Sequence, residues 1–147
     1  MKNILGTIVT PVLSITLTNH LSELERLHHE LWQFGVHHGL PTNVINSINL
    51  ALEEIVTNVI EHGYDNQGEH SITIRCSVQD RQVISEVEDD AQPFNPLQAV
   101  APDLSQPLEN RPIGGLGIYL VRQIMDAVDY TYQDGKNWVR LKKRIVD

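Results

Sequence analysis

Seven aliphatic side chains, Ile45, Ile48, Leu52, Ile55, Val56, Val59 and Ile60, fall on one arc of a helix. Pro41 stands where that helix opens, because the N–H it lacks would be unpaired in a first turn anyway. Gly63 is placed to end it. The spacing therefore predicts a long amphipathic helix from about Pro41 to His62, with an apolar face that the rest of the chain must cover.

The other segments supply the cover. Leu13 to Leu17 alternates as a strand does. Thr18 and Asn19 can cap a helix from about His20 to Val36, ending near Gly35 and Gly39. Ser71–Val78 and Gln82–Glu88 alternate again, and Gln79-Asp80-Arg81 is short enough for a hairpin. Between Asp89 and Ile113 lie five of the seven prolines, and a loop of that length in a small domain is usually functional. Gly114-Gly115-Leu116-Gly117 ends it and starts a helix from about Leu116 to Val128. Strands at Asp129–Gln133 and Asn137–Ile145 then meet at Asp134-Gly135, a strong hairpin signal. The order predicts an α+β chain: a two-layer α/β sandwich whose mixed, mostly antiparallel sheet carries three helices on one face.

With 147 residues, one domain over 1–147 is expected. The single cysteine, Cys76, excludes an internal disulfide and a multi-cysteine zinc site, and reads as a small residue inside a strand. A formal net charge of -8 disfavours nucleic acid and anionic membranes as partners. No run is apolar enough to span a bilayer, and Met1–Val12 makes a poor signal peptide. The expectation is a cytoplasmic protein. His28-His29 and His37-His38 lack a carboxylate or cysteine at helical spacing and read as ordinary histidines. Arg140, Lys142, Lys143 and Arg144 read as outward charges protecting a sheet edge.

Three stretches can carry chemistry. On the long helix, Glu54 and Asn58 are one turn apart and share a face. A carboxylate there can take a proton from an attacking hydroxyl, and an amide oxygen is a hard ligand suited to Mg²⁺. Helix geometry alone favours an ordinary solvated face. Asn, however, competes for backbone hydrogen bonds and is a weak helix former in that mid-helix position. Glu53 lies about 100° round the helix and stacks with Thr57 instead. In the second stretch, Asp89 follows a strand and can accept a hydrogen bond from an exocyclic amine, although Asp and Pro also suit a plain turn. In the third, the glycines of Gly114–Gly117 enter a helix, which suits an anion as well as a hinge. This is neither a P-loop nor a dinucleotide fingerprint.

Glu-Ile-Val-Thr-Asn-Val-Ile-Glu-His-Gly-Tyr (54–64), Asp-Asp-Ala-Gln-Pro-Phe-Asn-Pro (89–96) and Gly-Leu-Gly-Ile-Tyr-Leu-Val (115–121) stand in one order along the chain. In that order they resemble the GHKL ATPase superfamily with its Bergerat fold, and within it the small anti-sigma-factor serine kinases. The resemblance implies ATP and Mg²⁺ as cofactors. It implies Glu54 as general base, Asn58 as Mg²⁺ ligand, and Asp89 as reader of the adenine amine. Further nucleotide contacts fall on Ala91, Phe94, Gly114, Gly115, Leu116, Gly117 and Ile118, with an ATP lid over about 91–113. It also implies a protein serine/threonine kinase that phosphorylates a serine on a STAS-type antagonist and sequesters a sigma factor, in a family that often forms homodimers. The alternative is a non-catalytic ATP-binding module that regulates by protein binding alone. One residue departs from the pattern: Ala91 replaces the glycine of Asp-x-Gly, and alanine tolerates positive φ poorly.

Overall fold

The computed structural model of the chain describes residues 13–66, 68–98 and 115–146. Strand β1 (Leu13–Thr18) leads through a 3-10 turn (Leu21–Glu23) into helix α1 (Leu24–His37), then α2 (Thr42–His62). Strands β2 (Ser71–Gln79) and β3 (Gln82–Asp89) follow, then a second 3-10 turn (Pro96–Gln98), helix α3 (Gly115–Ile124), and strands β4 (Ala127–Gln133) and β5 (Lys136–Arg144). The strands form one sheet in the order β1-β2-β3-β5-β4. Every pair is antiparallel, so the expected mixed component is absent among the described residues. Both hairpins turn through positive φ, at Asp80 and Arg81 and at Asp134 and Gly135.

Side-chain alternation divides the sheet into two faces. Leu13, Ile15 and Leu17 of β1, Ile72, Ile74 and Cys76 of β2, Val83 and Val87 of β3, and Val139 and Leu141 of β5 are buried in one core. The helices complete that core with Leu27, Leu31 and Phe34 of α1, Val44, Ile48, Leu52 and Val56 of α2, and Ile118 and Val121 of α3. The other face carries polar cross-strand partners. Arg75 and Lys136 reach Glu88 at 3.1 and 2.7 Å, and Arg140 reaches Glu86 at 3.1 Å. Burial of Cys76 pushes its thiol up to about 12, so it is an inert core residue.

Several local expectations are corrected. Thr18 and Asn19 do not cap α1, which begins only at Leu24 after the 3-10 turn. Instead Thr18 N–H donates to Glu23 Oε1 at 2.9 Å, while Asn19 Nδ2 donates to Gly68 O at 3.1 Å and Asn19 Oδ1 accepts from His70 N–H at 3.0 Å. Helix α3 stops at Ile124, because Ala127 and Val128 pair with Lys142 and Leu141 of β5 and so belong to β4. Strand β5 lies between β3 and β4, so its cations guard no edge; Arg140 serves the cross-strand pair with Glu86. No helix among the described residues is long and apolar enough to cross a membrane.

Candidate nucleotide-binding site

Helix α2 lies against β3, β5 and α3 and brings the site together. Its apolar arc faces the core, and the 100° step per residue sends the two adjacent glutamates different ways. Glu53 turns to α1, where its carboxylate lies 3.7 Å from His28 Nε2. Glu54 turns to α3 and is half-buried, as is Asn58 one turn on. Their stripe is therefore not a freely solvated face. A Cβ built on Gly117 would overlap the Glu54 carboxylate, so any side chain at 117 would displace that carboxylate from its place against the first turn of α3. Burial pushes the Glu54 carboxyl above its ordinary value, and the neighbouring Glu53 adds to the effect.

The second half of the site grows out of the sheet. Along β3 the inward positions are Val83, Ser85, Val87 and Asp89, so the period of two that buries the valines also buries Asp89, 3% exposed. Asp90 points the other way and is exposed. Burial pushes the Asp89 carboxyl up, while hydrogen bonds from Asn137 and Ala91 hold it down. Ala91 N–H donates to Asp89 Oδ1 at 3.0 Å, and Asn137 Nδ2 donates to the same oxygen at 2.9 Å. Asn137 is the residue opposite Asp89 in the β3–β5 register and is 4% exposed.

Residues 89–92 are fastened to the end of α2. Gln92 N–H donates to Gly63 O at 2.9 Å. Gly63 closes α2 with φ -84, so it is not needed for a left-handed turn. It is needed for closeness: an added Cβ would stand 2.7 Å from Ala91 Cβ and 2.6 Å from Val59 O. Tyr64 stacks on His70 with ring centroids 4.0 Å apart, and its hydroxyl donates to Asp90 Oδ1 at 3.2 Å.

Ala91 itself is buried, and it is not among the described non-glycine residues with positive φ, which are Asp80, Arg81 and Asp134. The backbone strain expected of alanine in place of glycine is therefore absent. Phe94 is half-exposed, and its N–H donates to Asn137 Oδ1 at 3.1 Å. Ile118 is 1% exposed and packs in the core, leaving only its backbone for any ligand. Gly115 opens α3 and Leu116 follows it. Gly114 and residues 99–113 of the expected lid lie outside the described residues. Asn137 was not singled out in the sequence. A polar residue at an inward-facing strand position, directly after the Asp134-Gly135 turn, was the signal that could have found it.

Two carboxylates raised by burial, a half-buried amide one turn from the first, and a glycine-opened helix beside it are groups whose chemistry suits a charged, amine-bearing ligand. Comparison with known proteins defines the class. The family described as "Histidine kinase-like ATPase domain" matches residues 17–143, and the chain belongs to that family. It thus lies within the GHKL superfamily whose motifs it carries.

Among individual relatives, the serine/threonine-protein kinase BtrW of Bordetella bronchiseptica is 27% identical over 95 residues, covering 65% of this chain and 67% of that protein. The serine-protein kinase RsbW of Listeria monocytogenes serovar 1/2a is 27% identical over 108 residues, covering 71% of this chain and 69% of that protein. The crystal structure of the RsbU and RsbW domains of a Mycobacterium tuberculosis protein superposes on 92% of this chain with a TM-score of 0.67 and 21% identity. This chain corresponds to 33% of that longer one, and the likeness shows a shared fold. Both of these relatives are named as protein kinases, one serine/threonine and one serine.

Proposed function

We propose that the protein is an ATP-dependent serine/threonine kinase that acts as an anti-sigma regulatory factor. It phosphorylates a serine on a STAS-type antagonist protein and sequesters a sigma factor. The observation that carries this reading is the Glu54 carboxylate, half-buried and set against the first turn of α3 at Gly117.

The residues suit Mg-ATP on chemical grounds. Asn58 offers a neutral, hard oxygen one turn from Glu54, as a Mg²⁺ ligand requires. Asp89 offers a buried acceptor that suits an exocyclic amine, and the N-terminal turn of α3, opened by Gly115, offers backbone N–H groups and a helix dipole to an anion. When bound, Mg-ATP supplies the phosphoryl group and the counter-charge for its transfer.

Glu54 accepts the proton of the attacking serine hydroxyl. Burial raises its affinity for that proton, which moves it toward the working pH of a general base. Asn58 would hold the metal, and Asp89 would orient the adenine. The same raised carboxyl predicts an acid limb of the rate profile shifted upward from the ordinary glutamate value.

The test is incubation with a candidate antagonist and labelled Mg-ATP. Glu54→Gln should lower phosphotransfer by about 10²–10⁴-fold while ATP binding persists. Full activity in that variant would overturn the base assignment. Wild-type protein that binds Mg-ATP yet transfers nothing to any antagonist would be a partner-switch module acting by binding alone.

A further inference from the structure

The flank of α2 turned away from the nucleotide site holds a second set of unpaired polar groups. Asn49 and Glu53 stand one turn apart there, with Leu50 beside them. His28, His29 and Trp32 face them from α1, and an open groove of about 530 Å³ runs between the two helices. That volume is in the range of ligand sites.

Two polar atoms in the groove, His28 Nε2 and Asn49 Oδ1, are shut off from solvent and have no hydrogen-bond partner among the described residues. Buried polar atoms are normally paired, so two unpaired ones in one groove call for an explanation. Glu53 is under-used as well. His28 Nε2, at 3.7 Å, is too far for a hydrogen bond, and no described lysine or arginine pairs with its carboxylate.

The surroundings favour a positive ligand. Trp32 is 42% exposed at the groove, and an exposed indole is the best aromatic face for a cation. Helices α1 and α2 carry Glu25, Glu30, Glu53, Glu54 and Glu61 against a single arginine and no lysine. That arginine, Arg26, is taken by Glu23 at 3.0 Å. A metal ion does not fit, because no cluster of three His, Cys, Asp or Glu side chains among the described residues is placed to hold one. An organic cation does. The Glu53 side chain is open to it directly, and Asn49 Oδ1 becomes available as side chains in the groove change rotamer. A guanidinium suits better than an ammonium, since its planar fork bonds a carboxylate while its face lies on a ring.

We propose that the α1–α2 groove is a second ligand site, separate from the nucleotide site, that takes a guanidinium group with Glu53 as counter-charge and Trp32 as stacking face. The inference does not rest on the Mg-ATP reading, because Glu53 turns to α1 while Glu54 turns to α3.

The test titrates arginine amide into the whole chain while the nuclear magnetic resonance shifts of the Trp32 indole, His28, Asn49 and Glu53 are followed. Saturable shifts in the millimolar range are expected, with the uncharged isostere citrulline amide weaker by about tenfold or more. Glu53→Gln should weaken arginine amide by about tenfold, and Trp32→Ala by about three- to tenfold. Either variant serves if the other does not fold. Glu61→Gln removes the same charge about two turns further along α2 and should change affinity by less than about twofold. Arginine inside a capped glycine peptide identifies the source. Tighter binding of the peptide than of the amide assigns the groove to a side chain of a partner polypeptide, and equal binding assigns it to a free guanidinium compound.

Absence of saturable shifts at these residues would overturn the inference, as would equal binding of citrulline amide. So would equal losses in Glu61→Gln and Glu53→Gln, which would mean diffuse attraction to an acidic surface.

Discussion

The two halves of the site are built on opposite plans. Between α2 and α3, Glu54 and Asn58 project from one helix toward the backbone of another. Among the described residues their side chains form no hydrogen bonds, and what defines the space is the missing side chain of Gly117. At the ends of β3 and β5, Asp89 and Asn137 sit in register, buried, with their partners almost fully assigned. The contrast suits the roles proposed for each half. A group that must exchange a proton needs a carboxylate raised by burial and left unsatisfied. A group that must read a base needs a fixed acceptor, and the two-residue period of a sheet places it more rigidly than a helix surface can.

The contrast breaks most easily at Gly117. Gly117→Ala improves helix propensity by up to about 1 kcal/mol, but its Cβ displaces the Glu54 carboxylate. Phosphotransfer should fall by about 10–100-fold with an unchanged or higher melting temperature, since small misplacements at a reacting centre are expensive. Retained activity would mean that the position of Glu54 is not set by α3.

A smaller effect is expected at Ala91, on the crowded side. Its methyl packs beside Gly63 without positive φ, so Ala91→Gly should lower stability by about 1 kcal/mol through the freer unfolded chain. Nucleotide affinity should stay within about threefold of wild type. A large gain in affinity, measured by titration calorimetry, would show that the methyl does narrow the approach to the base.

The smallest effect comes from a carboxylate outside both halves. Hydrogen bonds from Arg26 and from Thr18 N–H hold Glu23 down to about 2. Its folded value lies below the unfolded one, so its contribution is present above the ordinary carboxylate range and is lost as pH falls toward about 2. Glu54 and Asp89 are raised, and their sign is opposite: they favour the folded state at acid pH and lose that contribution as pH rises through their folded values. Glu23→Gln should cost about a few tenths of a kcal/mol at neutral pH, because solvent screens the pair, and should flatten the acid arm of the unfolding curve. An unchanged acid arm would remove Glu23 from the account.

The long helix, both hairpins and the strand around Asp89 were legible because each is a local pattern: an arc, an alternation, a turn dipeptide. The start of α1 was misread, since Thr18 and Asn19 look like caps but bond to Glu23 and to the loop before β2 instead. Ala127 and Val128 continue a helical pattern, and only pairing with β5 makes them strand. In the site, Glu54, Asn58 and Asp89 were nameable from their spacing and order. Asn137 was not, because its significance lies in a partner 48 residues away.

By itself, then, the sequence determined which elements exist and which polar residues they carry, because helical and strand periods act over a few residues. It also placed the chain by motif order in a family that the comparison then showed. The tertiary structure alone decided that Glu54 faces α3 while Glu53 faces α1, that Ala91 sits unstrained beside Gly63, and that β5 is interior and puts Asn137 against Asp89. Those outcomes depend on packing and strand order, in which residues far apart in the chain compete for the same volume and the same hydrogen bonds.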